Sequence, residues 1–175
     1  MQAGSRLLCA RVNMKLYFIR HATASDHAPS DAERPLTKEG KEEARIVGWV
    51  LEELGVRPAE ILTSPLKRAW QTAHLLAESM KFPHPVKTLE ALTNDHHTPA
   101  LLRALKPFPA DAELCLVGHA PSLPEHLAEL LGSKHHGSVP LGKGSVACVE
   151  LDALHPGSGQ LLWLLRQKQL RMMVR

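Results

Sequence analysis

The chain has 175 residues, 44% of them hydrophobic and 22% charged, the make-up of one globular domain with a real core and not of a disordered or fibrous protein. A formal net charge of +3 with 4% aromatic residues leaves too small a basic excess and too few stacking rings for a nucleic-acid surface. No apolar run reaches the roughly 20 residues that span a bilayer, so neither a membrane nor a nucleic acid is an expected partner.

The opening MQAGSRLLCA carries one arginine and a short apolar patch, without the longer apolar stretch and small-residue cleavage site of a secretory signal. The expected location is the cytoplasm. Residues 1–13 read as an extension and residues 14–175 as a single domain, with Met14 a candidate for the natural initiator. Cys9, Cys115 and Cys148 are odd in number and form no C-x-x-C pair, which argues against a disulfide framework. None has an arginine six positions later, which removes the cysteine-phosphatase loop.

Taken in order, residues 15–19 (KLYFI) are β-rich and short and predict a strand. Residues 37–54 predict a helix: Thr37 can cap it, Ala44, Val47, Val50, Leu51 and Leu54 recur at helical spacing, and Gly55 ends it. Ile61 and Leu62 head a second strand. Ser64 and Pro65 then open a helix, with serine as the cap and proline at the first helical position. Pro83 and Pro85 break that helix, residues 86–89 form a third strand, residues 98–105 a short helix, residues 114–117 a buried strand and residues 121–131 another helix. Residues 145–151 and 160–165 read as two strands around a His155-Pro156-Gly157 turn. Strand–helix alternation implies an α/β fold with a mostly parallel sheet covered on both faces, and the last hairpin supplies an antiparallel strand.

In such sheets ligands collect beyond the carboxyl ends of the strands. Three of those ends carry reactive residues: Arg20-His21-Ala22-Thr23, then Thr63-Ser64-Pro65 with Arg68 in the following turn, then Gly118-His119-Ala120-Pro121. Two arginines and two histidines would meet in one pocket. A neutral imidazole can attack phosphorus and form a phosphohistidine, splitting hydrolysis into two easier steps. Guanidinium forks match phosphoryl oxygens in pairs and stay charged. The arginine charges should also depress the pKa of His21 and keep it nucleophilic, and His119 would donate to a phosphoryl oxygen. The chemistry calls for no metal or other cofactor.

The stretches FIRHA (18–22), TSPLKRAWQTA (63–73) and VGHAP (117–121) make the chain resemble the histidine phosphatase superfamily, also called phosphoglycerate-mutase-like. Arg20-His21-Ala22-Thr23-Ala24, Arg34-Pro35-Leu36-Thr37 with Gly40, and the short length resemble its small, SixA-type phosphohistidine phosphatase branch. The resemblance implies a three-layer α/β/α sandwich, His21 as the phosphorylated nucleophile, and Arg20, Arg68 and His119 as the phosphate pocket. Two departures stand out. Ala22 occupies a position where many members have glycine. For the glutamate general acid of mutase-like relatives, Glu90 is the nearest match and Asp95 the second.

Inserts that build a lid in larger relatives are missing from this length, so the expected substrate is a phosphohistidine on a protein or a small phosphorylated metabolite, met by a monomer. The alternatives are a phosphoglycerate-type mutase and a non-catalytic phosphopeptide-binding protein on the same fold. Thr23 is a candidate substrate-binding hydroxyl or a loop cap. Arg34 reads as a helix-entry arginine. Leu141-Gly142-Lys143-Gly144-Ser145 is a turn signal without the spacing of a phosphate-binding P-loop. His96-His97, His135-His136, His84, His126 and His155 lack metal-ligand spacing and read as surface histidines.

Overall fold

The computed structural model describes residues 12–135 and 137–174. The expected extension over 1–13 lies almost wholly outside these residues, as do Cys9 and His136. Strand β1 (Met14–Arg20) is buried on both faces, as its unbroken apolar run requires. Met14, Leu16 and Phe18 point to one side and Tyr17 and Ile19 to the other, the two-residue period of a pleated strand. Strand β2 (Glu60–Thr63) and the two-residue β3 (Lys87–Thr88) follow. Next come β4 (Glu113–Gly118), β5 (Val146–Leu151) and β6 (Gly159–Leu165).

The sheet order is β3-β2-β4-β1-β5-β6. β1 pairs in parallel with β4, as do β2 with β4 and β2 with β3. The expected antiparallel strand is β5, laid against β1; β6 turns back against β5 and so runs with the others again.

Helices α1 (Lys38–Glu53) and α2 (Lys67–Ser79) pack on each other over one face. A C-terminal helix, α5 (Gln167–Met173), joins them and was not legible in the sequence. Ile46, Val47, Val50, Leu51, Ala69, Ala73, Leu76 and Leu170 form that core with Tyr17, Ile19, Cys115 and Val117. Helices α3 (Thr98–Leu105) and α4 (Ser122–Leu130) cover the other face over Leu16, Phe18, Leu114 and Leu116. The result is the α/β/α sandwich that the sequence implied. Each fully buried Leu or Phe adds roughly 1.5–3 kcal/mol.

Local chemistry explains the ends of α1. The Thr37 side chain accepts the Gly40 N–H at 3.0 Å. At the other end Gly55 takes φ +73, the Gly55 N–H bonds the Glu52 carbonyl, and the Val56 N–H reaches back to Leu51. Leu54, expected on the apolar stripe, is 46% exposed because it is the capping residue past the last turn. Among the described residues no helix is long and apolar enough to cross a membrane.

Candidate active site

The pairing of β1 with β4 sets Arg20 opposite Gly118. The next residue on each strand is a histidine, and the His21 N–H bonds the Gly118 carbonyl at 2.9 Å. The two imidazoles therefore face each other with centroids 5.1 Å apart. Both are buried, His21 at 7% and His119 at 1% exposure. His21 Nδ1 lies 2.8 Å from the Ala22 carbonyl. A carbonyl only accepts, so Nδ1 carries the proton and Nε2 keeps its lone pair. Burial comes first in lowering the His21 pKa to about 4, opposed by the bond to Ala22 and assisted by the charges of Arg68, Arg20 and Lys143. The expected arginine effect is present but second to desolvation. His119 is lowered to about 3, again mainly by burial.

Arg20 sends Nη1 to the Leu141 carbonyl at 3.1 Å, and burial lowers its pKa. Its Nε is buried with no hydrogen-bond partner, and so is His119 Nδ1. Two unpartnered buried nitrogens on two of the four expected pocket residues are costly, about 1–3 kcal/mol each, unless a ligand uses them.

Arg68 is also buried, and its guanidinium is held by Asp31 from the short 3₁₀ turn Asp31–Glu33. The structure thus brings His21, Arg20, Arg68 and His119 to the carboxyl end of the sheet, where their charges bear on one another.

Ser64 departs from its expected role. Helix α2 begins at Lys67 with Leu66 as its cap, so Pro65 is not the first helical residue. The Ser64 hydroxyl instead sits 2.8 Å from His119 Nε2 and accepts the Leu66 N–H at 3.3 Å. A buried imidazole nitrogen is a stronger claim on a hydroxyl than a helix end that can be closed by its own turn. Nothing local in the sequence distinguishes these two uses of a serine.

The loop after His21 is held by residues that motif reading passed over. Thr72 Oγ1 accepts the Ala22 N–H at 3.1 Å and donates to the Arg68 carbonyl at 2.7 Å, tying the loop after His21 to α2. The buried Glu43 carboxylate accepts both the Thr23 N–H (2.8 Å) and the Thr23 hydroxyl (3.2 Å). Thr23, a candidate for substrate, has its hydroxyl committed to Glu43. Arg34 braces the same loop, bonding the Ser25 carbonyl and the carboxylates of Asp26 and Asp31.

Glu90 opens a 3₁₀ turn, Glu90–Leu92, after β3, and the Leu92 carbonyl lies against Gly118. Asn94 bonds the Ala120 carbonyl and Ser122, fastening this segment to the His119 loop. Glu90 and Asp95 are both exposed. Among the described residues no hydrogen bond or ion pair joins either carboxylate to the four pocket side chains. His126, expected on the surface, is 1% exposed and bonds Thr98 Oγ1 at 2.9 Å between α4 and α3. Among the described residues no group of three or more His, Cys, Asp or Glu is gathered so as to hold a metal ion.

The model of the histidine phosphatase superfamily (branch 1) matches residues 16–97. An uncharacterised protein of Picosynechococcus sp. (strain PCC 7002) is 43% identical over 116 residues, 64% of this chain and 70% of its own. The phosphohistidine phosphatase SixA of Escherichia coli (strain K12) is 28% identical over 163 residues, 91% of this chain and 98% of its own. The solved structure of the protein histidine phosphatase SixA complexed with tungstate superposes with a TM-score of 0.80 at 26% identity, covering 90% of this chain and 99% of that one. With the sheet order, the paired histidines and these relatives on the same side, the chain belongs to the histidine phosphatase superfamily, in its SixA-type branch.

Proposed function

We propose that the protein is a phosphatase that hydrolyses phosphohistidine, or a small phosphoester, through a phosphorylated His21. The observation that carries this reading is the pair of buried, unpartnered nitrogens, Arg20 Nε and His119 Nδ1, beside an imidazole whose Nε2 is kept free by the Nδ1 bond to Ala22. Such donors suit an anion, and the free lone pair suits an attack on its phosphorus.

In the first step His21 Nε2 forms a bond to phosphorus while the P–N or P–O bond of the substrate breaks. The leaving alkoxide takes a proton from a carboxylic acid, or the leaving imidazole one from water. In the second step water attacks the phosphorylated His21 and releases inorganic phosphate, returning the ring to its neutral form. Arg20, Arg68 and His119 Nδ1, which carries the ring proton when the Ser64 hydroxyl donates to Nε2, oppose the charge that spreads over the phosphoryl oxygens. Positive charge of that kind comes from the chain's own side chains, so turnover should proceed without added metal and survive a chelator. A P–N bond needs less help to the leaving group than an ester. For esters the proton donor would be Glu90, the exposed carboxylate that opens the turn after β3, with Asp95 or no acid as the alternatives; Glu90→Gln should then cost most on esters, and an equal loss on a phosphoramidate would count against Glu90.

The similarity to the E. coli phosphohistidine phosphatase supports phosphohistidine as substrate. Replacing His21 with Ala should lower turnover of an aryl phosphate by a factor on the order of 10³ or more, and acid-labile phosphate should be trapped on wild-type His21 during turnover. Turnover that survives His21→Ala, or phosphopeptide binding by a wild type that never turns over, would sink the reading.

A further inference from the structure

Between α4 and β5 the chain carries no acidic residue from position 131 to 145, while it includes Lys134, His135, His136 and Lys143. The last part of this connection, read from sequence only as a turn, is fastened to the nucleophile's own segment on both sides of Lys143. The Leu141 carbonyl accepts from Arg20 Nη1 at 3.1 Å. The Gly144 N–H lies 3.1 Å from the Arg20 carbonyl and 3.2 Å from that of His21, and the Arg20 N–H bonds the Ser145 carbonyl at 3.2 Å. From behind, Gln167 Nε2 donates to the Gly144 carbonyl at 2.7 Å. Gly144 itself adopts φ +60, which a side chain would resist.

Lys143 is therefore carried on a clamped turn and not on a free loop. It is exposed, and among the described residues it has no acidic partner. Among the charges that lower the His21 pKa, that of Lys143 comes after those of Arg68 and Arg20. The charge balance of the site leaves a place for it. Arg68 shares its fork with the Asp31 carboxylate, so one of the two arginine charges is offset, while a phosphoryl dianion in transfer spreads its charge over three equatorial oxygens.

We propose that Lys143 is a third phosphoryl-binding cation of this site, its ammonium donating to an oxygen of the group brought to His21. The proposal rests on the reading of the site as a phosphatase pocket. A lysine contributes here as a compact point charge on a flexible stem, complementing the planar forks of the arginines.

The test uses the full chain as wild type, Lys143→Ala and Lys143→Arg, with aryl phosphate kinetics, calorimetric binding of inorganic phosphate, and thermal melts. The expected result is a fall of about tenfold in both kcat/KM and phosphate affinity for Lys143→Ala, the scale of one charge-assisted hydrogen bond. Lys143→Arg should recover most of both, with melting temperatures unchanged. Wild-type behaviour of Lys143→Ala would overturn the proposal, as would equal losses in both variants accompanied by a lower melting temperature. If the wild type binds phosphate without turning over, and Lys143→Ala weakens that binding, Lys143 stands as an anion ligand while the phosphatase reading falls. If the wild type does neither, both fall.

Discussion

Arg68 is gripped by Asp31 at both ends of its fork: Nη1 donates to the Asp31 carbonyl at 2.7 Å and Nη2 to the Asp31 carboxylate at 3.0 Å. Under the proposed function a phosphoryl group would ask for the same donors, so the Asp31 carboxylate would compete with it for Arg68. Its carboxyl is held below the usual range by the hydrogen bond from Arg34 and then by Arg68, so it is ionised at neutral pH. Asp31→Ala should free Nη2, leaving the Nη1 bond to the main-chain carbonyl in place, and tighten inorganic phosphate as a competitive inhibitor. The Asp31 side chain is 65% exposed, which limits the gain to about fivefold, the scale of an exposed ion pair of ~1 kcal/mol or less. Unchanged or weaker inhibition would mean that Asp31 positions Arg68 instead of competing for it.

Ser64 steadies His119 through the 2.8 Å contact to Nε2. Ser64→Ala would leave that nitrogen buried without a partner and release the orientation of the ring. We expect kcat to drop about tenfold, the scale of one buried hydrogen bond lost, with KM little changed. A steady-state split in the opposite sense, KM moving and kcat constant, would count against this role.

The acid limb of kcat/KM reports the free enzyme's essential base. With His21 lowered to about 4, activity should hold well below the pH at which an ordinary imidazole protonates and fall only as pH approaches that value. An acid limb near 6.5, the ordinary histidine value, would remove His21 as the titrating group.

The same burial makes stability depend on pH. His21, His119 and His126 have folded pKa values of about 4, about 3 and about 4, all below their unfolded value of roughly 6.5. Between those limits the unfolded chain binds more protons than the folded one, so stability falls as pH drops through about 6.5 and levels off below the folded values. Each histidine contributes at most about 1.4 kcal/mol per pH unit in that window. Denaturant melts between pH 4 and 7 should show this slope, and His126→Gln should shallow it without touching activity at neutral pH. A flat profile would contradict the burial of all three.

Gly40 shows how a recognisable residue gets its physical reason only from the fold. A Cβ at this position would lie 1.9 Å from the Thr23 carbonyl oxygen and 2.8 Å from its carbon. Both are backbone atoms of the loop that follows His21, which is also anchored there by the Thr37 N–H and hydroxyl. Gly40→Ala should push α1 off this loop, with a loss on the order of 3 kcal/mol and a fall in kcat beyond that of any stability loss. Equal stability and activity to wild type would show that the approach relaxes freely.

Local chemistry made a good part of this protein legible from its residues. Apolar runs at period two and at helical spacing located β1, β4, α1 and α3, and Gly55 marked the end of α1, because burial pattern and capping act over a few residues. The candidate set could be picked out because Arg20, His21 and His119 fall at or just past the ends of β1 and β4, and Arg68 lies in the first turn of α2. Tertiary structure alone decided that β1 and β4 are neighbours, which turns two distant histidines into a facing pair. It also decided that the Ser64 hydroxyl serves His119, that Asp31 takes Arg68, and that Thr23 turns to Glu43. In each case the partner is 20 or more residues away. A side chain's neighbours across a sheet are chosen by packing and register, which leave no local period in the chain.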